Sequence, residues 1–134
     1  MAYPNILAVT IGAAALLCSA PAVADTAAPS YIDHVTWVSY DNRSSLRVYP
    51  TPTARAAALR WDSAAAEQAW REVITEAPEA DTPSMYDQFL CHFNYAEFAH
   101  PGKTSWNLEP WRPVVDPVAM IESGCNPGAA EEPF

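Results

Sequence analysis

Two cysteines, Cys91 and Cys125, bracket the stiffest stretch of this 134-residue chain, Trp106-Asn107-Leu108-Glu109-Pro110-Trp111-Arg112-Pro113. Its prolines fix their own φ and restrict the residues before them, so the segment has few shapes to choose from. The third cysteine, Cys18, falls in an apolar N-terminal leader. If that leader is removed in an oxidising compartment, an even pair of thiols remains, and its simplest state is a disulfide. Closing a loop of about 35 residues stabilises a small domain by roughly 3 to 4 kcal/mol through the entropy it removes from the unfolded chain.

The leader reads as a secretory signal over residues 1–24. An apolar run from Ile6 to Leu17 precedes Ala22-Val23-Ala24, and cleavage after Ala24 leaves Asp25 at the new N-terminus. The run is shorter than the ~20 apolar residues a membrane span needs. Acylation of Cys18 would tether the chain instead, but Leu17 is large where a lipoprotein signal wants a small residue, so no stable membrane anchor is expected after cleavage. About 110 residues then remain, enough for one modest core. The expected organisation is a flexible leader over 25–30, a single α+β domain over 31–127 and a loose acidic tail over 128–134.

Every Lys, Arg, Asp and Glu lies beyond residue 24, so the secreted chain keeps the formal charge of −9. A surface this acidic opposes nucleic acid and anionic lipid, and no nucleic-acid partner is expected. The partners left open are an envelope or extracellular protein, or a glycan.

Residues 31–40 alternate among β-branched and aromatic side chains and predict a strand. Asp41-Asn42-Arg43-Ser44 supplies turn formers, and Leu46-Arg47-Val48-Tyr49 a second strand halted by Pro50 and Pro52, making a hairpin. Residues 51–61 read as a linker. An amphipathic helix follows, capped by Asp62 or Ser63, with Ala66, Ala69, Trp70, Val73, Ile74 and Ala77 along one stripe and Pro78 at its end. Phe89, Cys91, Phe93 and Tyr95 then alternate with Gln88, His92 and Asn94, which favours a third strand with His92 facing outward. Met85, Phe89, Phe93 and Ala96 suit a helix over 83–96 as well. A fourth strand over 103–108 would close a second hairpin with Trp106 facing inward. Asp116-Pro117 and Gly124 bracket a short final helix that returns Cys125 toward Cys91.

His92, Lys103, Glu109 and Arg112 form the one constellation suited to catalysis. A carboxylate near a histidine can share acid and base duties while the cations stabilise developing negative charge. That arrangement would suit a small metal-independent hydrolase or phosphodiesterase using His92 and Glu109. The plainer reading pairs Glu109 with Arg112 across a tight turn. His34, His92 and His100 lack ligand spacing, so no metal or other cofactor is expected, and Ser84 and Ser105 lack the elbow of a hydrolase nucleophile. A binding module would instead use Trp111 and Arg112 as an exposed rim, with Trp106 as a less suitable third contributor. A secreted toxin or effector is a further possibility. The module ranks first.

The runs Met85-x-x-Gln88-Phe89-x-Cys91-His92, Lys103-x-x-Trp106-Asn107-Leu108-Glu109-Pro110-Trp111-Arg112-Pro113 and Cys125-Asn126-Pro127 resemble a family of small secreted bacterial proteins, actinobacterial in type, known only as a domain of unknown function. The resemblance extends upstream through Val35-Thr36-Trp37 and Ala69-Trp70-Arg71-Glu72-Val73. It implies a secreted single domain bridged from Cys91 to Cys125, and it brings no activity, catalytic residue or cofactor.

Overall fold

A computed structural model describes residues 16–23 and 26–131. Most of the expected signal segment, both residues flanking its cleavage point and the last three residues lie outside the described residues. The hairpin forms first in chain order. Strands β1 (Ile32–Tyr40) and β2 (Arg43–Pro50) pair antiparallel through Trp37↔Leu46 and Val35↔Val48. Only Asp41 and Asn42 separate them, with φ of 47° and 61°. That is the left-handed pair of a type I′ turn, whose twist matches the strands and which Asp and Asn tolerate.

The chain then departs from expectation. Residues read as a linker contain helix α1 (Pro52–Ala58), begun by the Thr51 hydroxyl accepting from the Ala54 amide at 3.2 Å, with Pro52 in the first turn. Its inner face is Ala54, Ala57 and Ala58, all fully buried. An alanine stripe is too weakly apolar to announce a helix, although Thr51-Pro52 was a legible start signal. Helix α2 (Ser63–Glu76) follows as predicted, capped by Asp62, and Trp70 packs 5.3 Å from Phe89.

The favoured third strand is a helix. After a 3-10 turn (Pro78–Ala80), α3 runs from Pro83 to Ala99 with Thr82 as its cap. It is surrounded by α1, α2, the sheet and the final helix. Ser84, Met85, Gln88, Phe89, Cys91, His92, Phe93 and Ala96 are therefore all buried. A helix enclosed on most of its circumference loses the clean amphipathic period, and the leftover alternation mimics a strand.

The second hairpin is corrected with it. Strand β3 is short (Trp106–Leu108) and pairs antiparallel with β2 through Leu46↔Leu108 and Val48↔Trp106, giving the sheet order β1-β2-β3. The α+β class stands, with one hairpin rather than two. Trp106 is fully buried, edge-on to Phe89 and Phe93 at 6.1 and 5.8 Å. Helix α4 (Pro117–Glu122) is capped by Asp116 and ends at Gly124, φ 60°. This delivers Cys125 to Cys91, and the disulfide forms with Cα atoms 5.6 Å apart.

Candidate functional site

The four candidate catalytic residues gather where α3 meets β3 and the turn after it. Glu109-Pro110-Trp111-Arg112 closes as a turn with the Arg112 amide donating to the Glu109 carbonyl at 3.2 Å, proline at its second position. The turn brings the Arg112 Nε within 2.6 Å of the Glu109 carboxylate, and neither side chain is exposed at all. Ser45 of β2 donates to the other carboxylate oxygen at 3.0 Å. Gln88 of α3 holds the Glu109 peptide from both sides, its amide nitrogen donating to the carbonyl and its amide oxygen accepting from the N–H, each at 2.9 Å. Ser84, one turn earlier, donates to the Arg112 carbonyl at 2.7 Å. The rest of the guanidinium donates to the carbonyls of Pro127, Ala129 and Ala130.

Every polar atom of this pair thus has a partner within the protein, and the residues around it face inward. A buried charge pair of this completeness holds structure. Neither side chain reaches solvent, so the pair presents no surface to a substrate. Arg112 as part of an exposed rim is corrected for the same reason, and Trp106 is excluded as a contact residue by its complete burial.

His92 does not lie on an outward face. It sits on the inner side of α3, 3 % exposed, with Nε2 3.1 Å from the Asn107 carbonyl. A carbonyl only accepts, so Nε2 carries the proton and Nδ1 the lone pair. Burial, reinforced by the positive charges of Lys103 and Arg112 and opposed by that hydrogen bond, lowers its pKa to about 3. A base that weak is mismatched to proton abstraction near neutral pH. Lys103 extends away to Glu131, 2.5 Å distant, on the flank of a cleft of about 540 Å³ that His92 also lines and Glu109 does not. The geometry therefore splits the constellation into a sealed pair, Glu109 with Arg112, and two residues on a cleft wall.

Trp111 keeps part of its surface, but both Arg112 and Arg43 lie 4.4 Å from its ring centre, so its π surface is already engaged by cations. The expected loose tail is held as far as Glu131 by Arg112 and Lys103. Among the described residues no group of three or more His, Cys, Asp or Glu side chains could hold a metal ion, and no helix is long and apolar enough to cross a membrane.

What sequence reasoning missed is an aromatic corner. Trp61, in the turn that follows α1, stacks on Phe98 with centroids 5.3 Å apart and meets Tyr95 edge-on at 5.5 Å. Tyr95 and Phe98 line the same cleft as His92 and Lys103. The signal was a tryptophan immediately before a capping aspartate, obscured because its helix went unread.

Comparison with known proteins gives a family and no activity. Residues 32–128 match the family model described as "Protein of unknown function (DUF2599)". The uncharacterized protein Rv0477 of Mycobacterium tuberculosis is 55% identical over 106 residues, 79% of this chain and 72% of the relative. The uncharacterized protein ML2452 of Mycobacterium leprae is 45% identical over 101 residues, 75% of this chain and 82% of the relative. No solved structure matches significantly. A chain matched by this family model over residues 32–128, with mycobacterial relatives at this identity, belongs to the DUF2599 family.

Proposed function

We propose that the mature chain is a secreted, non-catalytic binding module of the extracellular space or cell envelope. One observation carries the reading: the residues best suited to catalysis are spent on the interior, with Glu109 and Arg112 fully buried against each other. The leader over 1–24 and the disulfide are the grounds for placing it outside the cytoplasm. What such a fold offers a partner is a rigid surface, since sheet, helices and C-terminal segment are tied by the bridge and by Arg112.

The test compares capture with turnover. The mature, oxidised protein is incubated with envelope fractions and cell extracts, and separately with generic ester and phosphodiester substrates. Specific retention of a partner without hydrolysis is expected. Hydrolysis that disappears in a folded His92→Gln variant would replace this reading with the hydrolase.

A further inference from the structure

Two helices of this protein end in the same hydrogen-bonded motif with different residues at its critical position. After α4, the Gly124 amide donates to the Ile121 carbonyl and the Cys125 amide to that of Met120. After α1, the Trp61 amide donates to Ala58 and the Asp62 amide to Ala57, in the same spacing. This is the Schellman closure, which places its penultimate donor in the left-handed region where glycine is usual. Gly124 has φ 60° and Trp61 has φ 55°. The chain thus carries its bulkiest residue type in a conformation an L side chain resists, and leaves that side chain 54 % exposed.

We propose that Trp61 is the stacking platform of a binding site for a neutral oligosaccharide that continues, across Tyr95 and Phe98, into the cleft those two rings line between α3, α4 and the C-terminal segment; Trp61 itself lies outside the cleft lining. The proposal rests on the binding-module reading and gives it a ligand class. Phe98 supports Trp61, its ring inclined by only 21° to the indole, and Tyr95 buttresses it edge-on. The cleft of about 540 Å³ lies within the roughly 300–1,000 Å³ typical of small-molecule sites.

The chemistry of the walls selects the ligand. Tyr95, Phe98 and Ile121 offer apolar surface, whereas His100, Lys103 and Glu131 offer hydrogen-bonding groups. Lys103 and Glu131 neutralise each other at 2.5 Å, and the chain as a whole carries −9, so nothing here attracts an anionic glycan. A pyranose has an apolar C–H face that lies flat on an indole and hydroxyls around its edge that exchange hydrogen bonds with ammonium, carboxylate and imidazole groups. An acyl chain would instead bury the Lys103–Glu131 pair while returning no hydrogen bond.

The experiment titrates the mature, oxidised protein with hexasaccharides of N-acetylglucosamine, glucose and mannose up to about 10 mM, with decanoate in a parallel arm, following the tryptophan indole N–H resonances by NMR. At least one sugar should shift the Trp61 resonance saturably. Trp61→Gly and Trp61→Asn, which suit the left-handed position, should fold and melt within a few degrees of the parent while binding at least about tenfold more weakly. No response to any hexasaccharide, a response to decanoate alone, or undiminished sugar binding by both variants would overturn the site. Equal retention of envelope partners by parent and Trp61→Gly, with no sugar bound, would remove the glycan site and leave the module; absence of any retention and of any sugar binding would remove both.

Discussion

At the scale of single residues, the decisive fact is that burial turns chemically capable side chains into structural ones. Glu109 illustrates it. Substituting Glu109→Gln keeps the shape and most hydrogen bonds but leaves the Arg112 cation buried without a counter-charge, and should destabilise the fold by roughly 3 to 5 kcal/mol in chemical denaturation. A loss under about 1 kcal/mol would mean that water reaches the pair, as it does for exposed ion pairs. His92 makes a pH prediction. Its folded pKa of about 3 lies below the ordinary 6.5, so as pH falls the unfolded chain takes up the proton first. Stability from this residue is complete above about pH 6.5 and declines by about 1.4 kcal/mol per pH unit toward pH 3, some 2 kcal/mol by pH 5. Urea melts between pH 7 and 5 should show that slope, and His92→Gln should flatten it; an unchanged slope would place the titration elsewhere.

At the scale of elements, α2 does more than bury its apolar stripe. Its acidic residues meet the edge of the sheet. Glu72 accepts from the amides of Tyr31 and Ile32 at 2.9 and 2.8 Å, and Glu76 from that of Val35 at 3.2 Å. Just beyond the helix, Glu79 accepts from the Trp37 indole at 2.5 Å. These contacts occupy the first part of the free edge of β1, through the amides of Ile32 and Val35, which would otherwise be open to pairing with another chain. Replacing Glu72 with Ala should cost about 1 to 3 kcal/mol and speed amide exchange at Tyr31 and Ile32, because two N–H groups lose a charged acceptor. Exchange that stays slow there would show that backbone packing alone protects the edge. Helix α1 allows a smaller test: Thr51→Ala removes its cap and should lower stability by about 1 kcal/mol. The caps and breakers of α2 and α4 were legible because each is a local arrangement of two or three residues. The state of α3 was not, because its neighbours bury nearly all its faces and erase the period that distinguishes helix from strand.

At the scale of the whole molecule, the disulfide and the C-terminal segment close the structure together. The bridge spans 34 positions and joins α3 to the turn after α4. Reducing it should lower stability by roughly 3 to 4 kcal/mol, measured as the shift in urea midpoint with and without a reductant. A negligible shift would mean that Arg112 and the strap it holds keep α4 in place unaided. The same strap carries Glu131 to Lys103 and so completes one wall of the cleft proposed to take a sugar. Loosening it should weaken binding and folding together, in contrast to Trp61→Gly, which should affect binding alone.

Local chemistry in the sequence was enough to determine the hairpin turn, the caps of α2 and α4, the glycine after α4 and the inward Trp106, since each depends on neighbours in the chain; the cysteine pairing is legible only on the expectation that Cys18 leaves with the leader. Tertiary structure decided that α3 is a helix, that β3 joins β2 instead of a new partner, and that Glu109, Arg112 and His92 face the interior. Those outcomes depend on which surfaces meet across the fold, and a side chain's capacity for chemistry is settled by its solvent and its partners, neither of which its position in the chain records.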